Sequence, residues 1–166
     1  MFRDKRFVMN IITVCGLHES GHFAAMQLCG VRVREIRFSG TGIRIITRKS
    51  GAEPLVKSLF VLLSGPAVNI LMYMLLKERL PDTALMSLGA GIYNLLPYSC
   101  LDGGAVLELL ILGNIHERRL RLILKTARGV LVFISAVFLN IYGAEAAELF
   151  IVLALLYIRN EYLPEV

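Results

Sequence analysis

From Val8 to Leu28 the chain runs without Asp, Lys or Arg, and its one carboxylate, Glu19, stands inside His18-Glu19-Ser20-Gly21-His22. As a helix rising 1.5 Å per residue, this run measures roughly 30 Å, the thickness of a bilayer's hydrocarbon core. Ionisable groups at membrane depth are costly and mark functional sites. Helical spacing puts His18 and His22 on one face, one turn apart, where two imidazoles can grip a single zinc ion. Glu19, between them, is placed to act as general base on a water that the metal activates.

The remaining composition agrees with a membrane setting. The chain has 166 residues, 56% of them hydrophobic, and a mean hydropathy of +0.65. A soluble domain of this size could bury a core without such long apolar runs, so residues 1–166 read as a single membrane-embedded domain. The net charge of +5 comes from clustered Arg and Lys, which in this context report topology and anionic lipid. No nucleic-acid-binding pattern is present, and the bilayer is the expected surrounding. Cys15, Cys29 and Cys100 form no disulfide or metal framework and read as small packing residues. The charged start, Met1 to Arg6, resembles a signal peptide, but cleavage after its apolar run would discard the histidine motif.

Periodicity and breakers predict an α-helical integral membrane protein. It has three core transmembrane helices, a short β-hairpin after the first, and a C-terminal helical hairpin. The first helix is expected over 7–28, ended by Gly30. Alternating β-branched and Arg residues around Gly40-Thr41-Gly42 predict the β-hairpin over 31–48. Further helices are expected over 55–77 and 83–96, with Pro97 breaking the latter. Residues 97–101 read as extended, and Asp102-Gly103-Gly104 opens a helix to about residue 112. The core is thus 7–112 and the C-terminal helical part 113–166. In that part, His116 to Arg128 reads as a basic amphipathic helix lying among headgroups, and Gly129 to Ile158 as two short helices packed as a hairpin. The loops at 29–54 and 113–128 together carry eleven Lys and Arg, against five on the opposite side, which places both loops in the cytosol.

Catalytic zinc takes three protein ligands and keeps a fourth position open. His18 and His22 supply two. Asp102 is the best third candidate, since it lies at membrane depth beside a helix break; it could equally cap the helix that follows. Asn69 and Asn94 are uncharged polar residues within apolar helices. Each either donates to an oxyanion or substrate backbone, or makes a helix–helix hydrogen bond.

The combination of HESGH, Gly65-Pro66-Ala67-Val68-Asn69, and Asn94-Leu95-Leu96-Pro97-Tyr98-Ser99-Cys100-Leu101-Asp102-Gly103-Gly104 resembles the site-2 protease family (peptidase M50) of intramembrane zinc metalloproteases. The stretch from Gly30 to Ile36 and the compact length are closest to the stage IV sporulation protein FB branch. The resemblance covers about residues 12–112. It implies that His18, His22 and Asp102 bind Zn2+ and that Glu19 is the catalytic base. It also implies cleavage of membrane-tethered substrates in or near their transmembrane segments, from a site towards the cytosolic side of a bacterial cell membrane. The segment around Pro97 and the strands at 31–48 are implied to engage substrate. In the sporulation branch, that substrate is a sigma-factor precursor. Gly103-Gly104 is expected to serve backbone geometry. Two features depart from the family pattern: only 17 residues precede His18, and Cys100 stands where relatives often have proline. The chain has no room for an appended regulatory domain, so regulation would fall to a partner membrane protein or to lipid.

Two other classes compete. A catalytically inert membrane scaffold of the same fold would have no use for Glu19. A zinc transporter would need several acidic or His residues along a path through the helices, and beyond HESGH and Asp102 only Glu108, Glu145 and Glu148 are available.

Overall fold

The computed structural model describes residues 2–31, 33–39, 42–47, 54–111, 116–143 and 147–162. In chain order these form α1 (Phe2–Cys29), β1 (Val33–Ser39), β2 (Gly42–Thr47), α2 (Leu55–Leu76), α3 (Pro81–Asn94), α4 (Asp102–Ile111), α5 (Glu117–Tyr142) and α6 (Ala147–Tyr162). The elements fall into two compact units, Met1–Leu95 and Leu96–Val166.

In the first unit, α2 packs against both α1 and α3. Gly30, at φ 66°, ends α1 with a backbone conformation that side-chain-bearing residues rarely adopt. Pro81 opens α3 at its first turn, where the missing N–H costs nothing. β1 and β2 pair antiparallel from Val33 opposite Thr47 to Ser39 opposite Gly42, with an irregularity between Val33 and Glu35.

The interior of this unit is small and polar. α1 buries Val14, His18, Gly21, His22, Ala25 and Met26, which recur at the helical period along one face. α2 buries Gly65, Pro66 and Asn69, and α3 buries Thr83, Ala84, Ser87 and Gly91. Large apolar side chains face outward instead, among them Ile12, Phe23, Val56, Phe60, Met74 and Leu85. A water-soluble bundle sorts the other way. Small residues inside and apolar residues outside are the packing of helices in lipid, where close backbone approach and interhelical hydrogen bonds hold the bundle. Examples are Thr83 Oγ1 donating to Asn10 Oδ1 at 3.1 Å and Ser87 Oγ donating to the Asn69 carbonyl at 3.0 Å.

In the second unit, α5 packs against α6 and α4. Its core forms around Tyr98, which is fully buried against Leu153 and Leu156, with Leu131, Val132 and Tyr157 beside them.

The expected architecture of three core transmembrane helices is overturned. The described residues form six α-helices, and two segments, Leu55–Leu76 and Glu117–Ile141, are long and apolar enough to cross a membrane. α3 has 14 residues, about 21 Å of helix, which falls short of a bilayer core. α1 is long enough, but Glu19, the histidines and its charged beginning dilute its apolar character. The fold is therefore helical, and the expected β-hairpin is no architectural layer: β structure among the described residues is confined to one short antiparallel pair.

The C-terminal part is also corrected. The basic stretch and the apolar stretch after Gly129 are one continuous helix, α5, and α6 follows as a second. No proline interrupts residues 117–142, and a single interior glycine costs only about 1 kcal/mol, so the helix propagates through Gly129. The break comes at Gly143, at φ 62°.

Candidate metal centre

The motif on α1 places its two imidazoles as the spacing requires. The rings of His18 and His22 meet edge to face, with centroids 4.8 Å apart, and their Nε2 atoms are 3.1 Å apart. Two zinc–nitrogen bonds of about 2.05 Å at a tetrahedral angle would separate the nitrogens by about 3.3 Å. The pair therefore already has nearly the bite of a chelated ion, and both Nε2 atoms converge on one point.

The remaining ring nitrogens are held from α2. Nδ1 of His22 lies 2.8 Å from the Val61 carbonyl oxygen. That oxygen can only accept, so Nδ1 carries the proton and Nε2 keeps its lone pair for a metal. The same carbonyl accepts from Ser64 Oγ at 2.6 Å.

Nδ1 of His18 lies 3.2 Å from Asn69 Nδ2, on a side chain with no solvent exposure. Metal at Nε2 of His18 requires a proton at Nδ1 and hence an acceptor facing it. A half-turn of the Asn69 amide brings Oδ1 to that position and Nδ2 towards Ser87 Oγ, which is 3.4 Å from the present Oδ1. Ser87 donates its own proton to the Asn69 carbonyl, so its lone pairs are open to that amide. In this orientation every polar group of the relay has a partner.

Gly65 makes the close approach possible. A Cβ there would strike Nε2 of His22, and would stand 2.7 Å from Cε1 of His22 and 2.8 Å from Cε1 of His18. Gly21 does the reciprocal job on α1, where a Cβ would lie 2.8 Å from the Ser64 carbonyl oxygen. Glu19 is half-buried, one residue round α1 from the buried face that carries both histidines.

The structure brings Asn69 to His18, so its side chain is engaged with the histidine pair. Asn94, the last residue of α3, donates from Nδ2 to the Ala90 carbonyl of its own helix at 3.0 Å. In the second unit, Asp102 is the first residue of α4 and is half-buried. Ala105 N–H bonds to the Leu101 carbonyl at 3.0 Å, which makes Leu101 the cap and puts Asp102 inside the first turn. Pro97 presents its carbonyl to Arg128 Nε at 2.6 Å. Gly104 differs from its expected use. Among the described residues, positive φ occurs only at Gly30 and Gly143. What Gly104 provides is space, since a Cβ would drive into the Tyr98 carbonyl.

Gly65 stood out in the sequence only as the first residue of the Gly65–Asn69 motif, with no role assigned to it, and Ser87 takes part in this site without any local signal.

The fold is similar to that of the site-2 protease from Methanocaldococcus jannaschii, with a TM-score of 0.64 over 95% of this chain and 78% of that one, at 20% sequence identity. At that identity the likeness is one of fold. No family model and no curated protein matches the chain.

Proposed function

We propose that this protein is an intramembrane zinc metalloendopeptidase that cleaves membrane-tethered substrates in or near their transmembrane segments. The observation that carries the reading is the His18–His22 pair. Its Nε2 atoms are 3.1 Å apart, and the Nδ1 of His22 is held on a carbonyl, as a metal-binding imidazole requires. The site-2 protease-like fold is consistent with it.

Zinc would be held by His18, His22 and Asp102, which offer two imidazole nitrogens and one carboxylate oxygen. That donor chemistry suits the ion. Bound there, zinc supplies Lewis acidity towards water and the scissile carbonyl. Glu19 takes a proton from the attacking water and returns it to the leaving amine. Val61 and Asn69 hold the two imidazoles in the tautomer that leaves Nε2 available. Asn94 exchanges its bond to Ala90 for one to the substrate backbone or the developing oxyanion. The segment around Pro97 and the strand pair receive an unwound substrate as an added strand. In this reading the active site lies towards the cytosolic side of a bacterial membrane, and a partner membrane protein or lipid regulates access. A membrane-tethered sigma-factor precursor is one candidate substrate, on the resemblance of the Gly30 to Ile36 stretch to the sporulation branch, beside an anti-sigma factor or a signal-peptide remnant.

The test compares wild type with Glu19→Gln in membranes co-expressing tagged single-span substrates. Glu19→Gln should retain zinc and lose cleavage by about 10²–10⁴-fold. Equal processing by both proteins would sink the assignment.

A further inference from the structure

α5 and α6 lie outside the three motifs, yet their side chains reach back to the segment that precedes Asp102. Residues 96–101 are neither helix nor strand; the Tyr98 and Leu101 N–H groups bond within the segment, to the Leu96 and Tyr98 carbonyls, while the Pro97 carbonyl and the Ser99 N–H find partners elsewhere. Arg128 on α5 donates from Nε to the Pro97 carbonyl at 2.6 Å. On α6, Asn160 Oδ1 accepts from the Ser99 backbone N–H at 2.7 Å and from Ser99 Oγ at 2.6 Å. The Tyr98 ring between them is fully buried against Leu153 and Leu156. Three backbone groups are thus bonded in succession: the Pro97 carbonyl by α5, the Tyr98 carbonyl by the Leu101 N–H, and the Ser99 N–H by α6.

The grip is itself braced. The Arg128 side chain is only 9% exposed, and its Nη1 pairs with Glu161 Oε1 at 2.9 Å. Lys125 Nζ holds the other carboxylate oxygen of Glu161 at 3.0 Å. A buried guanidinium is tolerated only when paired and hydrogen-bonded, and the bond to Pro97 is part of that satisfaction. Arg128 therefore has one well-determined position, and so has the carbonyl it holds.

We propose that Arg128, Asn160 and Glu161 are positioning residues that set the path of residues 97–101 and thereby the placement of the Asp102 carboxylate. The inference rests on the reading of Asp102 as a zinc ligand. Asp102 follows Ser99 by three residues, and ligand positions are tolerant to only about 0.2 Å. A segment freed from α5 and α6 would not hold that tolerance.

The experiment measures zinc affinity by chelator competition, and the absorption of the cobalt-substituted protein, on the full chain in nanodiscs. Asn160→Leu removes the acceptor from Ser99, whereas Asn160→Asp keeps an oxygen in its place. Asn160→Leu and Arg128→Met should weaken zinc binding by about 10–100-fold and alter the cobalt spectrum, as Asp102→Ala does. Asn160→Asp should stay within about threefold of wild type, because the acceptor that holds Ser99 is retained. If Arg128→Met fails to fold, the Asn160 pair decides. Equal affinities for Asn160→Leu and wild type, with Asp102→Ala weakened, would overturn the positioning role and leave the metal assignment standing. Equal losses in Asn160→Leu and Asn160→Asp would overturn it too. Unchanged affinity in Asp102→Ala would instead remove the ligand assignment on which the proposal rests.

Discussion

Gly65→Ala sets helix stability against metal binding. By propensity, alanine in the interior of α2 should stabilise the helix by up to about 1 kcal/mol over glycine. The new Cβ would nevertheless strike Nε2 of His22 and approach the Cε1 atoms of His22 and His18 to 2.7 and 2.8 Å. Ordinary contact begins near 3.4 Å, so the His18 ring would have to retreat by about 0.6 Å and the His22 ring, whose Nε2 is closer still, by more than about 0.7 Å. A zinc site tolerates displacements of about 0.2 Å. Should α2 shift instead, Asn69 and Val61 would shift with it and release both Nδ1 atoms. Either route removes the bite, and zinc affinity should fall by at least about 100-fold, the upper end of what loss of supporting contacts alone costs. The assay is chelator competition on purified protein in nanodiscs, beside thermal unfolding followed by circular dichroism. The expected result is a melting temperature of the apo-protein at or above that of wild type, with zinc binding lost. A variant that binds zinc as tightly as wild type would refute the idea that Gly65 is required for the close approach.

Two further outcomes follow from the same contacts. Asn69→Leu should leave His18 without its acceptor and weaken zinc binding by about 10–100-fold, while Asn69→Asp, which keeps an oxygen facing Nδ1, should retain most of it; titration of each variant with zinc checks this. Gly104→Ala must displace a backbone carbonyl in place of a flexible side chain. It should destabilise the second unit by about 1–3 kcal/mol, read as an earlier loss of protection at Tyr98–Ser99 in hydrogen exchange.

Features that repeat at a local period were legible in the sequence. The spacing of His18 and His22 fixes both on one face of α1, whatever packs there, because 3.6 residues per turn is a property of the backbone. The apolar runs, the turns at Gly30 and Pro97, and the start of α4 near Asp102 follow from local propensity in the same way. The number of membrane-length helices did not follow. α3 ends at Asn94 after 14 residues, and α5 runs unbroken through Gly129. Length and continuity there depend on which stretch the neighbouring helices bury.

Partnership across long separations was settled only by tertiary structure. Asn69 reads as a polar residue in an apolar helix, with oxyanion binding and helix–helix bonding equally open. Packing gives it to His18, 51 residues away. Arg128 reads as one cation in a basic, solvated stretch. Packing buries it on the Pro97 carbonyl, 31 residues away, against Glu161, 33 residues ahead. Gly65 reads as part of a motif inside an apolar helix, and packing makes it the gap into which two imidazoles fit. A sequence specifies which groups can donate, accept or leave space, because those are properties of single residues. Which groups meet is decided when helices bury their small and polar faces together, since in lipid an unsatisfied polar group costs several kcal/mol.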